Sequence, residues 1–163
     1  MELLRSFFTN ALNQATVTSF DSRFNVASSV TDAGGHVTSL RYDDLGRLAC
    51  VWAPQNVSPV TDYPTCAGTA APANRVLAYR NTGTSIPSVV TMTRLDDAAT
   101  PSMATRYDYL TGFGKPRETQ TPNPTNTAQT LVSDTTYNTD GLVASQSLPT
   151  WSTAAPGAAF INP

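Results

Sequence analysis

Apolar and polar residues alternate along most of this chain with the two-residue period of a β-strand. The clearest stretch is 42–54, YDDLGRLACVWAP, where Leu48, Cys50 and Trp52 alternate with Ala49, Val51 and Ala53. Pro54 ends the predicted ladder because it has no N–H to donate. Asp43, Asp44, Leu45 and Gly46 form the turn before this strand, with Asp at the first position and Gly, free to take φ > 0, at the last. Residues 75–79, 86–95 and 103–109 read as further strands. Asn81, Thr82 and Gly83 supply a hairpin turn between the first two, and DDAATP at 96–101 an irregular turn before the third. Only the N-terminus has helical spacing: Leu3, Leu4, Phe7, Phe8, Ala11 and Leu12 would share one face of a short helix.

Comparison of the chain with itself overrides the helix. Asp21, Asp32 and Asp43 are eleven residues apart, and each opens a four-residue turn, DSRF, DAGG and DDLG. One step back lies Asn10 in NALN, where Asn13 would take the left-handed conformation that Gly35 and Gly46 take. Eleven residues make one strand and one tight connection, so twenty-two make a hairpin. At that larger offset Phe20 and Asp21 fall on Tyr42 and Asp43, and 4–9 falls on 26–31, which makes the N-terminus a strand. Two more copies follow. Pro lies eight residues after the turn glycine in each case, Gly46 to Pro54, Gly114 to Pro122 and Gly141 to Pro149, so one downstream strand length is expected in all three. Tyr137 to Gly141 keeps the spacing of Tyr42 to Gly46 with Asn138 for Asp. Tyr107 and Asp108 reach Gly114 only after extra residues, which predicts a longer, Gly-containing turn. Tyr79 and Gly83 mark a decayed copy.

Composition favours strand, with Thr, Val, Ser, Asn, Gly and Pro abundant and the residues of surface helices scarce. Charged residues make up 13% and the net charge is −2, which leaves no basic surface for a phosphate backbone; nucleic acid is not an expected partner. The start, MELLRSFFTNAL, has neither the charge nor the apolar run of a secretory signal or a membrane span, and no compartment is named by the residues themselves. Cys50 and Cys66 enclose a Pro-, Ala- and Thr-rich loop. Two free interior thiols are favoured over a disulfide that staples it.

The heptapeptide Tyr42-Asp43-Asp44-Leu45-Gly46-Arg47-Leu48 resembles the YD or RHS repeat, whose pattern is Tyr-Asp-x-x-Gly-Arg-Leu with a second Asp-x-x-Gly turn about eleven residues away. Asp32 to Thr38 is similar to that second turn. The likeness is close over 20–54, recognisable over 9–20 and 103–149, and weak elsewhere. It implies an antiparallel β-ribbon that spirals into a hollow shell, as in insecticidal toxin complexes, polymorphic toxins and teneurins. The expected fold is therefore all-β, an antiparallel meander of hairpins forming a curved sheet or a section of a β-spiral shell. The expected organisation is regular repeats over 1–54 starting partway through a repeat, a loop over 55–73, degenerate repeats over 74–149 and a poorly ordered Ala/Pro-rich tail over 150–163. The implied role is a wall segment of a larger secreted or surface-delivered bacterial protein, its partners being the remaining repeats and an enclosed C-terminal cargo. Nothing in the chain matches the family's self-cleaving end.

Each chemically suggestive residue has a plainer structural use. Phe20, Tyr42, Tyr107 and Tyr137 could stack on sugar rings, which keeps a cell-surface module binding a glycan or a receptor as the alternative, but cross-strand packing before each turn is favoured. Asp21, Asp32, Asp43 and Asp108 could ligate calcium, but an Asp at the first turn position accepts from the turn's own N–H groups. His36, the single histidine, has no ligand or nucleophile partner by spacing. Arg47 and Lys115 follow turn glycines and are expected to bond carbonyls or carboxylates of a neighbouring strand. No catalytic residue, metal site or cofactor is assigned, and no enzyme is expected.

Overall fold

The computed structural model describes residues 5–54, 66, 73–81, 86–98, 101–126, 128–157 and 161. As expected, the fold is all-β. Twelve strands are described: β1 (Arg5–Thr9), β2 (Ala15–Asp21), β3 (Val26–Thr31), β4 (Val37–Tyr42), β5 (Leu48–Trp52), β6 (Arg75–Arg80), β7 (Ser88–Arg94), β8 (Met103–Leu110), β9 (Pro116–Pro122), β10 (Thr130–Tyr137), β11 (Val143–Gln146) and β12 (Thr150–Ser152). They form one open antiparallel meander in sequence order from β1 to β11, not closed into a barrel, with β12 off that path beside β10. The N-terminal segment is strand rather than helix: β1 pairs with β2 from Arg5↔Ser19 to Thr9↔Ala15. The Asn81 turn and the 55–73 loop fall largely outside the described residues.

By internal contacts the chain divides into two units, Met1–Val76 with Arg94–Ser102, and Leu77–Thr93 with Met103–Pro163. Both are built from the same hairpin. In the 43–47 turn, Gly46 N–H donates to Asp43 O (3.0 Å) and Asp43 N–H to Arg47 O (2.9 Å). This is a type I turn followed by a left-handed residue, a connection whose twist suits paired strands. The same two bonds close the turns that begin at Asn10, Asp32, Thr111 and Asn138. Their left-handed residues are Asn13, Gly35, Gly114 and Gly141. The turn at Asp21 is one residue longer: Asn25 N–H reaches Asp21 O at 2.8 Å, and Asn25 is the left-handed residue.

Alternate hairpins differ in register. Between β4 and β5, Arg41 pairs with Cys50 but Tyr42 with Leu48, so Ala49 is an extra residue, a β-bulge. The same shift leaves Ser28 extra in the β2–β3 hairpin, Arg117 in β8–β9 and Ala144 in β10–β11. In every case the bulge lies three residues after the left-handed turn residue. The ladders β1–β2, β3–β4 and β9–β10 show no shift. The bulge therefore recurs with every second strand, the physical content of the twenty-two-residue period.

Four expectations need correction. Cys50 and Cys66 form a disulfide rather than two thiols, with Cα atoms 5.9 Å apart. Cys50 is fully buried on β5, and Cys66 lies within reach of it for a bond. Second, Tyr107 and Asp108 do not precede a turn. β8 continues through Leu110, and the turn is the tight one from Thr111 to Gly114, with Thr111 where Asp stands elsewhere. Thr111 Oγ1 accepts from Lys115 N–H at 3.1 Å, so a hydroxyl replaces the carboxylate. Third, the strands after the three turn glycines are unequal: Leu48–Trp52, Pro116–Pro122 and Val143–Gln146. Pro122 is the last residue of β9 and still pairs with Thr130, and Pro149 lies beyond the end of β11 without ending the pairing to β10. Fourth, the tail contributes β12. Thr135↔Gln146 and Val132↔Thr150 put β11 and β12 along the same side of β10, interrupted around Leu148 and Pro149, because Pro149 lacks the N–H to continue the ladder there.

The buried cores of the units are unlike. In the first, Cys50, Trp52 and Ala73 pack together with Ala49, Cys66 and Val76 against them. The second buries Tyr109, Val90 and Val132 beside four polar residues, Ser88, Glu118, Gln120 and Thr130.

Candidate functional site

Two constellations stand out. One is the repeated turn with the tyrosine before it. Asp43 Oδ1 accepts from the N–H groups of Leu45 (3.0 Å) and Arg47 (2.9 Å), while Oδ2 takes the Arg47 guanidinium at 2.7 Å. Asp32 Oδ1 accepts from Gly34 (2.8 Å) and His36 (2.9 Å), and its Oδ2 lies 3.1 Å from His36 Nδ1. Asn10 Oδ1 accepts from Leu12 and Gln14, both at 3.0 Å, and its Nδ2 donates to Gln14 Oε1. Asn138 Oδ1 accepts from Asp140 (3.1 Å) and Leu142 (2.8 Å). In the turns begun by Asn10, Asp32 and Asp43 the first and fifth side chains are matched, carboxylate with a cationic or ring N–H and amide with amide; at Asn138 the fifth residue, Leu142, gives only its backbone N–H. The Arg47 guanidinium bonds the carboxylate of its own turn. Asp21 accepts from Arg23 through backbone and side chain. Asp108 bonds Arg106 and Thr119 within the strands.

These bonds set the carboxyl acidities. The Arg23 side chain and N–H hold Asp21 below the usual carboxylate range. The His36 N–H foremost does the same for Asp32. At Asp43, burial pushes upward, yet the bonds from Arg47 and Leu45 together leave the group lowered.

Two of the turns are also tied to a neighbour. Tyr42, half-buried, donates its hydroxyl to Ala27 O at 2.8 Å, and Tyr137 to Pro116 O at 2.6 Å. Ala27 and Pro116 are equivalent positions, each two residues after a left-handed turn residue. Both carbonyls lie beyond the last paired residues of their ladders, Ser29↔Ser39 and Asp134↔Glu118, where adjoining strands part. The tyrosine bonds a carbonyl that the ladder no longer reaches. Desolvation raises the Tyr42 phenol above its ordinary value. Phe24 packs over Gly46, whose Cβ would sit 3.0 Å from the ring, and φ there is +76°. Lys115 bonds Gly141 O and lies over the Tyr137 ring, 5.3 Å from its centre.

The other constellation was not legible as a site. Glu118 and Gln120 follow Gly114 by four and six residues, as Cys50 and Trp52 follow Gly46, so they occupy the buried positions of their hairpin. Gln120 Nε2 donates to Glu118 Oε1. Both Glu118 oxygens accept from Ile161 N–H, at 3.0 and 3.2 Å, and Gln120 Oε1 accepts from Gly157 N–H at 2.8 Å. Thr130 Oγ1 donates to Ala154 O at 2.8 Å, and Arg80 reaches Gly157 O at 3.3 Å. Tyr109 lies buried nearby; desolvation first, then the Glu118 charge, raises its phenol. The signal available was the fixed spacing from Gly114, which marked both residues as inward.

Among the described residues no group of three His, Cys, Asp or Glu side chains is placed to hold a metal ion. No described helix is long and apolar enough to cross a membrane. No protein-family model and no curated protein matches the chain.

Proposed function

We propose that the chain is a structural wall segment of the RHS or YD-repeat kind, part of a larger secreted bacterial protein whose repeats enclose a C-terminal cargo. The observation that carries this reading is the recurrence of one joint. A bulged hairpin is closed by a self-capped turn, and its leading tyrosine is tied to the equivalent carbonyl of the strand alongside, in both units. A joint whose donors and acceptors are satisfied by its neighbours suits a wall, where rigidity and impermeability are the contribution. The hydroxyls of Tyr42 and Tyr137 are committed to backbone carbonyls, as expected of residues that pack before a turn. No catalytic group is assigned.

The test is the protein encoded by the full reading frame. It should add Tyr-Asp-x-x-Gly hairpins on both sides, and limited proteolysis should leave a downstream segment intact until the wall is unfolded. Flanks without such hairpins, or a downstream segment cut as fast as a free peptide, would refute the proposal. So would a glycan-array signal lost when Tyr42, Tyr107 and Tyr137 are replaced by Ala in a protein that stays folded.

A further inference from the structure

Five described turns of one geometry, begun at Asn10, Asp32, Asp43, Thr111 and Asn138, hold Leu12, Gly34, Leu45, Phe113 and Asp140 at their third position. Glycine and aspartate fill it as well as an apolar residue does, so the fold does not require Phe113. That ring is nevertheless 95% exposed, at the tip of the Thr111 turn. Gly112 and Gly114 stand on either side of it, and a Cβ on either would meet nothing within 4 Å among the described residues. The tip is a knob clear of the sheet.

Its surroundings are apolar and basic. The Lys115 ammonium bonds Gly141 O, which holds the Thr111 and Asn138 turns side by side on one rim of the second unit. Leu142 and Val143, in and just after the Asn138 turn, are exposed at 65% and 60%. Lys115 and Arg117 are exposed as well, against the single carboxylate of Asp140 within 111–117 and 138–143. This is the chemistry an anionic membrane surface receives: an aromatic ring seats at headgroup level, aliphatic side chains bury beside it, and lysine and arginine reach the lipid phosphates. A protein interface needs about 800 Å² of complementary surface on each partner. A convex knob offers no such area, whereas a bilayer takes it up by parting around it. The first unit supplies the contrast. Leu45, 75% exposed at the same turn position, has two carboxylates, Asp43 and Asp44, against one guanidinium, Arg47.

We propose that the rim formed by the Thr111 and Asn138 turns seats on an anionic lipid surface, with Phe113 as the inserted residue. The contact lies in the plane of the headgroups and needs no spanning segment. It stands apart from the wall reading, since the rim meets lipid whatever the sheet encloses.

The experiment floats the full chain with vesicles of phosphatidylcholine alone and of phosphatidylcholine with phosphatidylglycerol. The chain should partition onto the mixed vesicles at least about fivefold more than onto the neutral ones, and about 0.5 M salt should remove most of that preference. Phe113→Ser should lower partition onto the mixed vesicles about tenfold or more, with hydrogen exchange in β8, β9 and β10 unchanged. Phe113→Trp should retain it, because indole suits the headgroup level. Leu45→Ser should leave it unchanged. The proposal is overturned if the wild-type chain partitions onto neither vesicle, which would leave Phe113 to a protein partner, or partitions equally onto both. It is equally overturned if Phe113→Ser, still folded, partitions like the wild type, or if Leu45→Ser lowers partition as much as Phe113→Ser.

Discussion

The same two inward positions, four and six residues after a turn glycine, hold Cys50 and Trp52 in one unit and Glu118 and Gln120 in the other. The backbone around them is alike, with a type I turn, a left-handed fourth residue and a bulge at Ala49 or Arg117. What differs is how each face is covered. The first takes a large aromatic, Ala73 and a disulfide; the second takes polar side chains that bond main-chain groups. The hairpin is therefore specified by its turn and bulge, and tolerates opposite chemistry on the face it presents.

The sharpest way to break this contrast is Trp52→Ala. Emptying the aromatic site should cost about 3–5 kcal/mol in denaturant unfolding, with loss of amide protection in β4 and β5 ahead of β8 to β10. Equal loss in both units would show that the faces are not independent. Next, Cys66→Ser, or reduction in mild denaturant, should cost about 3 kcal/mol, the value for a loop of this length. The second unit has no disulfide among its described residues and should keep its exchange pattern.

Tyr42→Phe and Tyr137→Phe test what the units share. Each removes one hydroxyl-to-carbonyl bond, at about 1 kcal/mol, and the two costs should agree within experimental error. A marked inequality would mean that the two ties are not the same joint.

Acid should have the smallest effect, and it separates turns by their first residue. Asp21, Asp32 and Asp43 have carboxyls lowered below the unfolded value of about 3.9, so the stability they contribute is present above that pH and is lost as pH falls through the folded values. Turns begun by Asn10, Thr111 and Asn138 carry no titrating first residue. Below about pH 4, amide shifts of Gly34, His36, Leu45 and Arg47 should move while those of Leu12 and Gln14, which donate to Asn10, hold still. Movement of all six turns together would point to global unfolding.

The strands and most turns were legible because an eleven-residue spacing of Asp and Asn is itself a backbone requirement: the first turn residue must accept from two N–H groups, and the fourth must take φ > 0. The Thr111 turn was misread because a hydroxyl can do part of the same work and because Tyr107 and Asp108, inside a strand, imitate the motif. The disulfide was not legible, since pairing depends on where a long connection returns, which local pattern does not encode. Glu118 and Gln120 looked like ordinary polar strand positions. Their burial depends on a stretch some forty residues later in the chain folding over them.

In three connections, NALNQ, DAGGH and DDLGR, the first and fifth side chains answer each other, so each is a small cassette. A gene encoding such a chain can recombine at these boundaries without leaving a mismatched partner behind. A single change at either end of a cassette, by contrast, strands its counterpart. Inheritance should therefore act on the two positions as a pair, with Asn alongside Gln and Asp alongside Arg or His, and length should vary by whole hairpins.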